Sequence, residues 1–424
     1  MLLRAVMAPV MVGTFLADDA VADPLNSNDA PPDAVAAAAR APHDEFNLVP
    51  VGGGTSDIGI GGGYFLGLAR MAPGHVPYAW NVESAGFVTF AKDPAGGIIV
   101  PYQDDYITFT VPRFLRSPME LEIRPEFSWE STLGYYGLGN ASSAVVPPGR
   151  NANYFEYGRL HPEVYVQLRS PLVDHVIARG GIRYTRSWLQ VRADSKLAED
   201  LRSGSPAVKA LLGSTAPNGV ALFGYGIQFD NRDNVTSSHR GTFDSFDLQV
   251  SPGGASWQPY RYLEATADLR VFVSLGTPRI VLAGRLASDL LVGDPPFYEL
   301  ARFENTYAIG GLNGVRGVPA ERYYGKVKVL GNAELRTEII TFHAFGKPVT
   351  FGLTGFFDGG RVWADTSPRP ELDGRGPNPI GGLKYGVGAG VRFQSGSAFV
   401  LRGDVAWSPD AMPLGGYVAA GQMF

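Results

Sequence analysis

Cysteine is absent from all 424 residues of the chain. That one absence removes disulfides, a lipid-modified cysteine anchor, thiolate metal sites and cysteine nucleophiles together. Long apolar runs are absent as well. No stretch reaches the roughly 18 apolar residues that a spanning α-helix requires, so a helical membrane span is excluded. Charge is scarce: 18% of residues carry it, with a formal net charge of -5 and a pI near 5.7. Such a balance offers no basic footprint for nucleic acid. The six histidines, at 43, 75, 161, 175, 239 and 343, show no His-x-x-x-His or His-Glu-x-x-His spacing, which argues against a zinc centre. No Gly-x-Ser-x-Gly elbow is present either. The expectation is therefore no catalytic residue, no metal and no cofactor.

What is present begins with an address label. Arg4 precedes an apolar run from Ala5 to Ala17, and Ala20-Val21-Ala22 gives a small-residue cleavage pattern before Asp23, so residues 1–22 read as a signal peptide. Residues 23–45 are rich in Ala, Pro and Asp and too short for a domain. Within this short periplasmic linker, Asp33 to Arg40 reads as a capped helix of roughly two turns that must dock to persist. One expectation places it as a plug in the barrel mouth, with Arg40 near Glu264 or Asp268. The plainer reading is a disordered tether.

From about Phe46 the sequence has period two. Glu120, Glu122, Arg124, Glu126, Ser128 and Glu130 alternate with Met119, Leu121, Ile123, Pro125, Phe127 and Trp129. Leu263 to Val273 repeats the pattern, with Glu264, Thr266, Asp268 and Arg270 on the polar face. No helices or second sheet are apparent to cover the apolar faces. They suit a transmembrane barrel with lipid outside and a polar lumen inside. Sixteen segments can be counted, from 47–52 and 58–70 to 397–408 and 416–424. Tight turns at 170–174, 275–278 and 394–397 alternate with long loops at 132–151, 193–218, 294–323 and 364–382. The fold expected over 46–424 is all-β, a 16-stranded antiparallel barrel of the outer-membrane type. A secreted all-β protein is the alternative, and it leaves outward aromatics such as Phe109, Phe127 and Trp129 without a reason.

Several motifs resemble one family. They are Val315-Arg316-Gly317 in a glycine-rich loop, Gly331 to Arg336, Phe356-Phe357-Asp358-Gly359-Gly360-Arg361-Val362-Trp363, Tyr385 to Phe393, and the turn Asp230-Asn231-Arg232-Asp233. Together they are similar to the Omp85 superfamily of BamA/TamA-type bacterial surface antigens, in a member without POTRA domains. The resemblance implies a bacterial outer-membrane location, a periplasmic turn at Asp230, Arg232 and Asp233, and a C-terminal assembly signal including Gly421 and Phe424. It also implies outer-membrane lipids and the barrel assembly machinery as partners. Val318 stands where the family's loop motif prefers an aromatic, which suggests looser packing of the loop tip.

The residues themselves agree on one point. Thr350, Gly352, Thr354, Phe356 and Asp358 share a strand face, and Asn332, Glu334, Arg336 and Glu338 share the corresponding face of the preceding strand. A carboxylate on an inner wall needs a partner, and Arg316 offers a planar, bidentate one. With the resemblance, loop 294–323 is expected inside the lumen, held by Arg316 to Asp358 with Glu334 sharing the guanidinium. Independent solvation of the three charges is the plainer alternative. The resemblance implies insertion or translocation of proteins or lipids, with an unfolded protein or a lipid as substrate and a weak seam between the first and last strands. A passive channel or structural barrel and an outer-membrane hydrolase are the other readings.

Overall fold

The computed structural model describes residues 42–424 apart from 56–57, 76, 94–95, 304–305, 308, 345–346, 375–381 and 396–398. The signal peptide, the linker helix and Arg40 lie outside the described residues. The strands are β1 (His43–Thr55), β2 (Gly59–Met71), β3 (Trp80–Lys92), β4 (Ile98–Ile99), β5 (Tyr102–Val111), β6 (Glu120–Gly134), β7 (Glu156–Leu160), β8 (Glu163–Val173), β9 (Val176–Val191) and β10 (Asn218–Asp230). There follow β11 (Gly241–Ser251), β12 (Tyr262–Ser274), β13 (Ile280–Gly293), β14 (Arg302–Phe303), β15 (Thr306–Tyr307), β16 (Val327–Ala344), β17 (Lys347–Trp363), β18 (Lys384–Ser395), β19 (Phe399–Ser408) and β20 (Ala411–Ala420). All but the short β14–β15 pair belong to one antiparallel sheet. Counting β7 with β8 as one interrupted strand, and setting the two-residue β4 aside, leaves sixteen staves.

The alternation in the sequence determines which way each stave faces. On β12 the even positions Glu264 and Phe272 are buried, while Val271 and Val273 are exposed. On β13, Ala283, Ala287, Asp289 and Leu291 are buried and Leu282, Leu286, Leu290 and Val292 face outward. Continuing around the wall, Leu335, Leu353, Phe357, Val387, Val391 and Val405 are exposed. A belt of exposed Leu, Val and Phe with charges on the opposite face is the pattern of a barrel in lipid.

Consecutive staves pair all the way from β1 to β20. The ends of the sheet come within 8 Å of each other, Cα to Cα. Among the described residues, however, no ladder joins β1 to β20. The stave at β7–β8 breaks at His161-Pro162, where proline has no N–H for the ladder.

Three sequence expectations need correction. The last strand is Ala411–Ala420, not 416–424, because Gly421 takes a positive φ of 81° and turns the chain out of the sheet. The first strand is thirteen residues long, so Gly52, Gly53 and Gly54 lie within a full-length stave and do not end a short one. Loop 192–217 contains two short helices, Lys196–Ser203 and Pro206–Leu212, each capped by a serine side chain, Ser195 and Ser205. Their buried faces, Leu197, Leu211 and Leu212, pack with Tyr135, Leu138, Tyr157, Phe297, Leu300 and Tyr324. The long loops thus form a single apolar cap over one mouth. Polar contacts sew it together: the Gly139 N–H donates to Tyr324 O, the Ala141 N–H to Leu372 O, and Asn140 Nδ2 to Gly382 O at 2.6 Å.

The absence of cysteine makes the orientation directly testable. Ser203→Cys, on the capped side, should react with a membrane-impermeant maleimide on intact cells, and Pro278→Cys, in the opposite turn, only after the outer membrane is permeabilised. The reverse pattern would refute this topology.

Candidate functional site

The loop between β13 and β16 turns back into the barrel. Arg316, at its tip, has no exposed surface. Its Nε donates to Asp358 Oδ2 at 2.7 Å and its Nη2 to Asp358 Oδ1 at 3.0 Å, the bidentate fork. Its Nη1 reaches Glu334 Oε1 at 2.7 Å and Asp404 Oδ2 at 3.0 Å, and its backbone N–H donates to Asp358 Oδ2. The Phe356 ring lies beneath the guanidinium, 3.4 Å from its centroid, adding a cation–π contact. Burial alone would disfavour the charge, but the surrounding carboxylates more than reverse that and hold Arg316 above its ordinary pKa. The carboxylates have further partners. Arg336 Nε donates to Glu334 Oε2 at 2.8 Å, and Arg392 Nη1 to Asp404 Oδ1 at 2.5 Å.

Asp358 and Glu334 stand where strand alternation places them, on adjacent staves with Asn332 opposite Asp358 and Glu334 opposite Phe356. Asp404 is a partner that the sequence reading missed. It shares an inner face with Arg402 and Ala406, so alternation alone could have placed it in the lumen, though not beside Arg316.

The loop tip touches every stave from β13 to β20. Arg285 Nη1 and Arg402 Nη2 hold Asn313, Asn332 Nδ2 donates to Gly314 O at 3.0 Å, and the Gly317 N–H donates to the Tyr417 hydroxyl at 2.8 Å. Contact with β18 requires the absence of a side chain. A Cβ on Gly386 would sit 1.9 Å from Arg316 O, and one on Gly388 would sit 2.4 Å from the Phe356 ring. The glycine alternation in Tyr385 to Phe393 therefore vacates the space that the loop and Phe356 fill. Val315 and Val318 are fully buried with Ile309, Phe303, Tyr323, Leu330 and Val362. Looser packing at Val318 does not occur, because Tyr323 and Phe303 supply aromatic surface from the same connection.

A second anchor holds the same connection to the opposite wall. Arg302 Nη2 donates to Glu130 Oε2 at 2.9 Å, and His161 Nε2 lies 2.9 Å from that oxygen. Glu321, with φ of 53°, is buried beside Arg302, and burial pushes its carboxyl up to about 8 although Arg302 opposes this.

At the other mouth, Arg232 folds back on Asp230 through Nε at 2.9 Å and Nη2 at 2.7 Å and covers the Phe243 ring. Asp233 Oδ1 accepts the N–H groups of His239 and Arg240. The turn motif therefore forms a closed, self-satisfied hairpin. The chain end does not lie along the wall. Beyond Gly421, Met423 and Phe424 are buried against Phe272, Val281 and Ala283, and Phe424 O accepts from Arg336 Nη2 at 2.9 Å. Asp268, an expected partner of Arg40, is already bridged by Arg285 at 2.8 Å and Arg270 at 3.1 Å.

Removing one partner from a buried ion pair leaves an uncompensated charge, at a cost of roughly 3–5 kcal/mol. Arg316→Ala should release the loop and raise the rate of proteolysis within residues 294–326. Arg316→Lys keeps the charge but loses the fork, and should fall between. Gly386→Ala removes no charge and should reproduce the Arg316→Ala cleavage pattern; wild-type protease resistance in both variants would refute the pinning.

A family model described as the Omp85 superfamily domain matches residues 107–413. Among solved structures, the chain is similar to BamA from Haemophilus ducreyi lacking POTRA domains 1–3, at 13% identity and a TM-score of 0.58, over 90% of this chain and 70% of that one. It is also similar to CdiB from Escherichia coli, at 13% identity and a TM-score of 0.53, over 89% of this chain and 61% of that one. A search of curated proteins gave no match. These structural likenesses concern the fold, and the family match spans most of the wall together with the pinned loop. The chain belongs to the Omp85 superfamily and is an outer-membrane β-barrel.

Proposed function

We propose that this barrel inserts proteins into the outer membrane, releasing them sideways between β1 and β20. The observation that carries this reading is the seam: the ends of the sheet approach within 8 Å, yet no ladder joins them among the described residues. Every other neighbouring pair of staves is bound by backbone hydrogen bonds, so the lowest-cost opening in the wall lies here. The long-loop mouth is an unfavourable exit. Leaving along the barrel axis would require breaking the apolar cap around Tyr135, Phe297 and Tyr324 and the loop-to-loop hydrogen bonds at Asn140 and Ala141.

The pinned loop supports the same reading from inside. Its contact with Tyr417 reaches the last stave, and Leu312 packs with Tyr417 and Ala419. In this account the loop braces β20 from the lumen while its outer edge stays unpaired. The protein client would enter from the side of the short turns and leave into the bilayer.

A staple across the cap separates sideways release from passage through the loops. The Ala141 N–H donates to Leu372 O at 2.9 Å, so Ala141→Cys with Leu372→Cys places two thiols within disulfide reach. In proteoliposomes, oxidised and reduced forms should insert an unfolded barrel client at equal rates, both faster than protein-free vesicles. Loss of insertion on oxidation would favour an axial route, and no acceleration in either form would reject insertion altogether.

A further inference from the structure

The short-turn mouth holds a second feature that the pin does not use. A cavity there is lined by Ser237, Ser238 and His239 of the turn, by Arg336, Thr354 and Arg392 of the wall, and by Gln422 of the chain end. Arg336 stands directly opposite Thr354 on β16 and β17, and Arg392 lies on the next stave, opposite Gly352. All three side chains are more than nine-tenths buried.

Each leaves a polar group without a hydrogen-bond partner among the described residues: Arg336 Nη1, Arg392 Nη2 and Thr354 Oγ1. The rest of each guanidinium is engaged. Arg336 uses Nε on Glu334 and Nη2 on Phe424 O, while Arg392 uses Nε on Gln422 Oε1 at 3.2 Å and Nη1 on Asp404. Glu334 Oε1 lies 3.6 Å from Arg392 Nη2, beyond hydrogen-bond distance, and is already held by Arg316. Arg279 and Glu338 also line the cavity, and His239 lies 3.5 Å from Glu338. These opposite charges at the rim offset each other.

Guanidinium N–H groups only donate, so two of them with a hydroxyl in one cavity call for an acceptor-rich occupant. Leaving three buried polar groups unmatched is costly. The structure assigns this cavity as a binding site for a small oxyanion, phosphate or a carboxylate, held by Arg336, Arg392 and Thr354. Charge-assisted bonds from arginine to such an anion are among the strongest available hydrogen bonds. The occupant would join three elements: the β16–β18 wall, the 231–240 turn and the chain end at Gln422.

Thermal unfolding of the purified barrel in detergent tests this, with sodium phosphate or sodium acetate exchanged for chloride at fixed ionic strength and pH. The melting temperature should rise saturably with one or both anions, and the two arms distinguish a phosphate from a carboxylate. Thr354→Val removes only the hydroxyl and Arg392→Gln one guanidinium; each should raise the half-saturating concentration by roughly tenfold, as expected for loss of one such bond. Arg179→Gln, at a separate lumen arginine on β9, should leave it unchanged. The proposal is overturned if neither anion stabilises beyond chloride, or if Thr354→Val responds as the wild type does. Should Arg392→Gln fail to fold, the Thr354→Val comparison decides alone.

Discussion

A guanidinium shut away from solvent organises the lumen. Taking Arg316 and its carboxylates out of water carries a large desolvation cost, and it is tolerable only where nearly every donor and acceptor is matched. Asp358, Glu334 and Asp404 provide that match from three different staves, with Phe356 beneath the plane. The dependence runs both ways. Without Arg316, Asp358 would lose its guanidinium while Glu334 and Asp404 kept only Arg336 and Arg392, and without the carboxylates the loop would carry an unpaired charge into the barrel. Loop position and the bare glycines of β18 are thus fitted to one interaction.

The two mouths are lined by different chemistry. The long-loop side is apolar, built from aromatic edges such as Tyr135 against Tyr324 at 5.2 Å. The short-turn side is polar and ionic, built from Arg336, Arg392 and the chain end. Apolar caps open only at the cost of exposing area to water, whereas ionic closures respond to ligands and to salt. An asymmetry of this kind suits a barrel that admits a client from one side and releases it through its wall.

Much of this was legible in the sequence because period-two alternation is a local property. It assigned Glu334 and Asp358 to the inner face, and turn and loop lengths assigned the order of the staves. Meetings across the lumen were not legible, since alternation says which face a residue takes and nothing about its partner on a distant stave. Asp404 beside Arg316, and Arg302 beside Glu130 and His161, are of this second kind. The chain end shows a third limit. Gly421 reads as part of an aromatic-ended strand, but its positive φ redirects Phe424 inward, where the apolar side of Phe272 and the Arg336 guanidinium receive it. The helices of loop 192–217 escaped because a single turn or two of apolar spacing does not stand out against surrounding alternation.

Arg316 holds the loop inside the lumen beneath the apolar cap, where it narrows the path along the barrel axis. Single-channel recording in planar bilayers tests it most directly. Wild-type barrels should conduct weakly and steadily, and Arg316→Ala barrels of equal abundance should show larger, fluctuating conductance as the freed loop leaves the lumen. Equal, steady conductance from the two proteins would contradict the account.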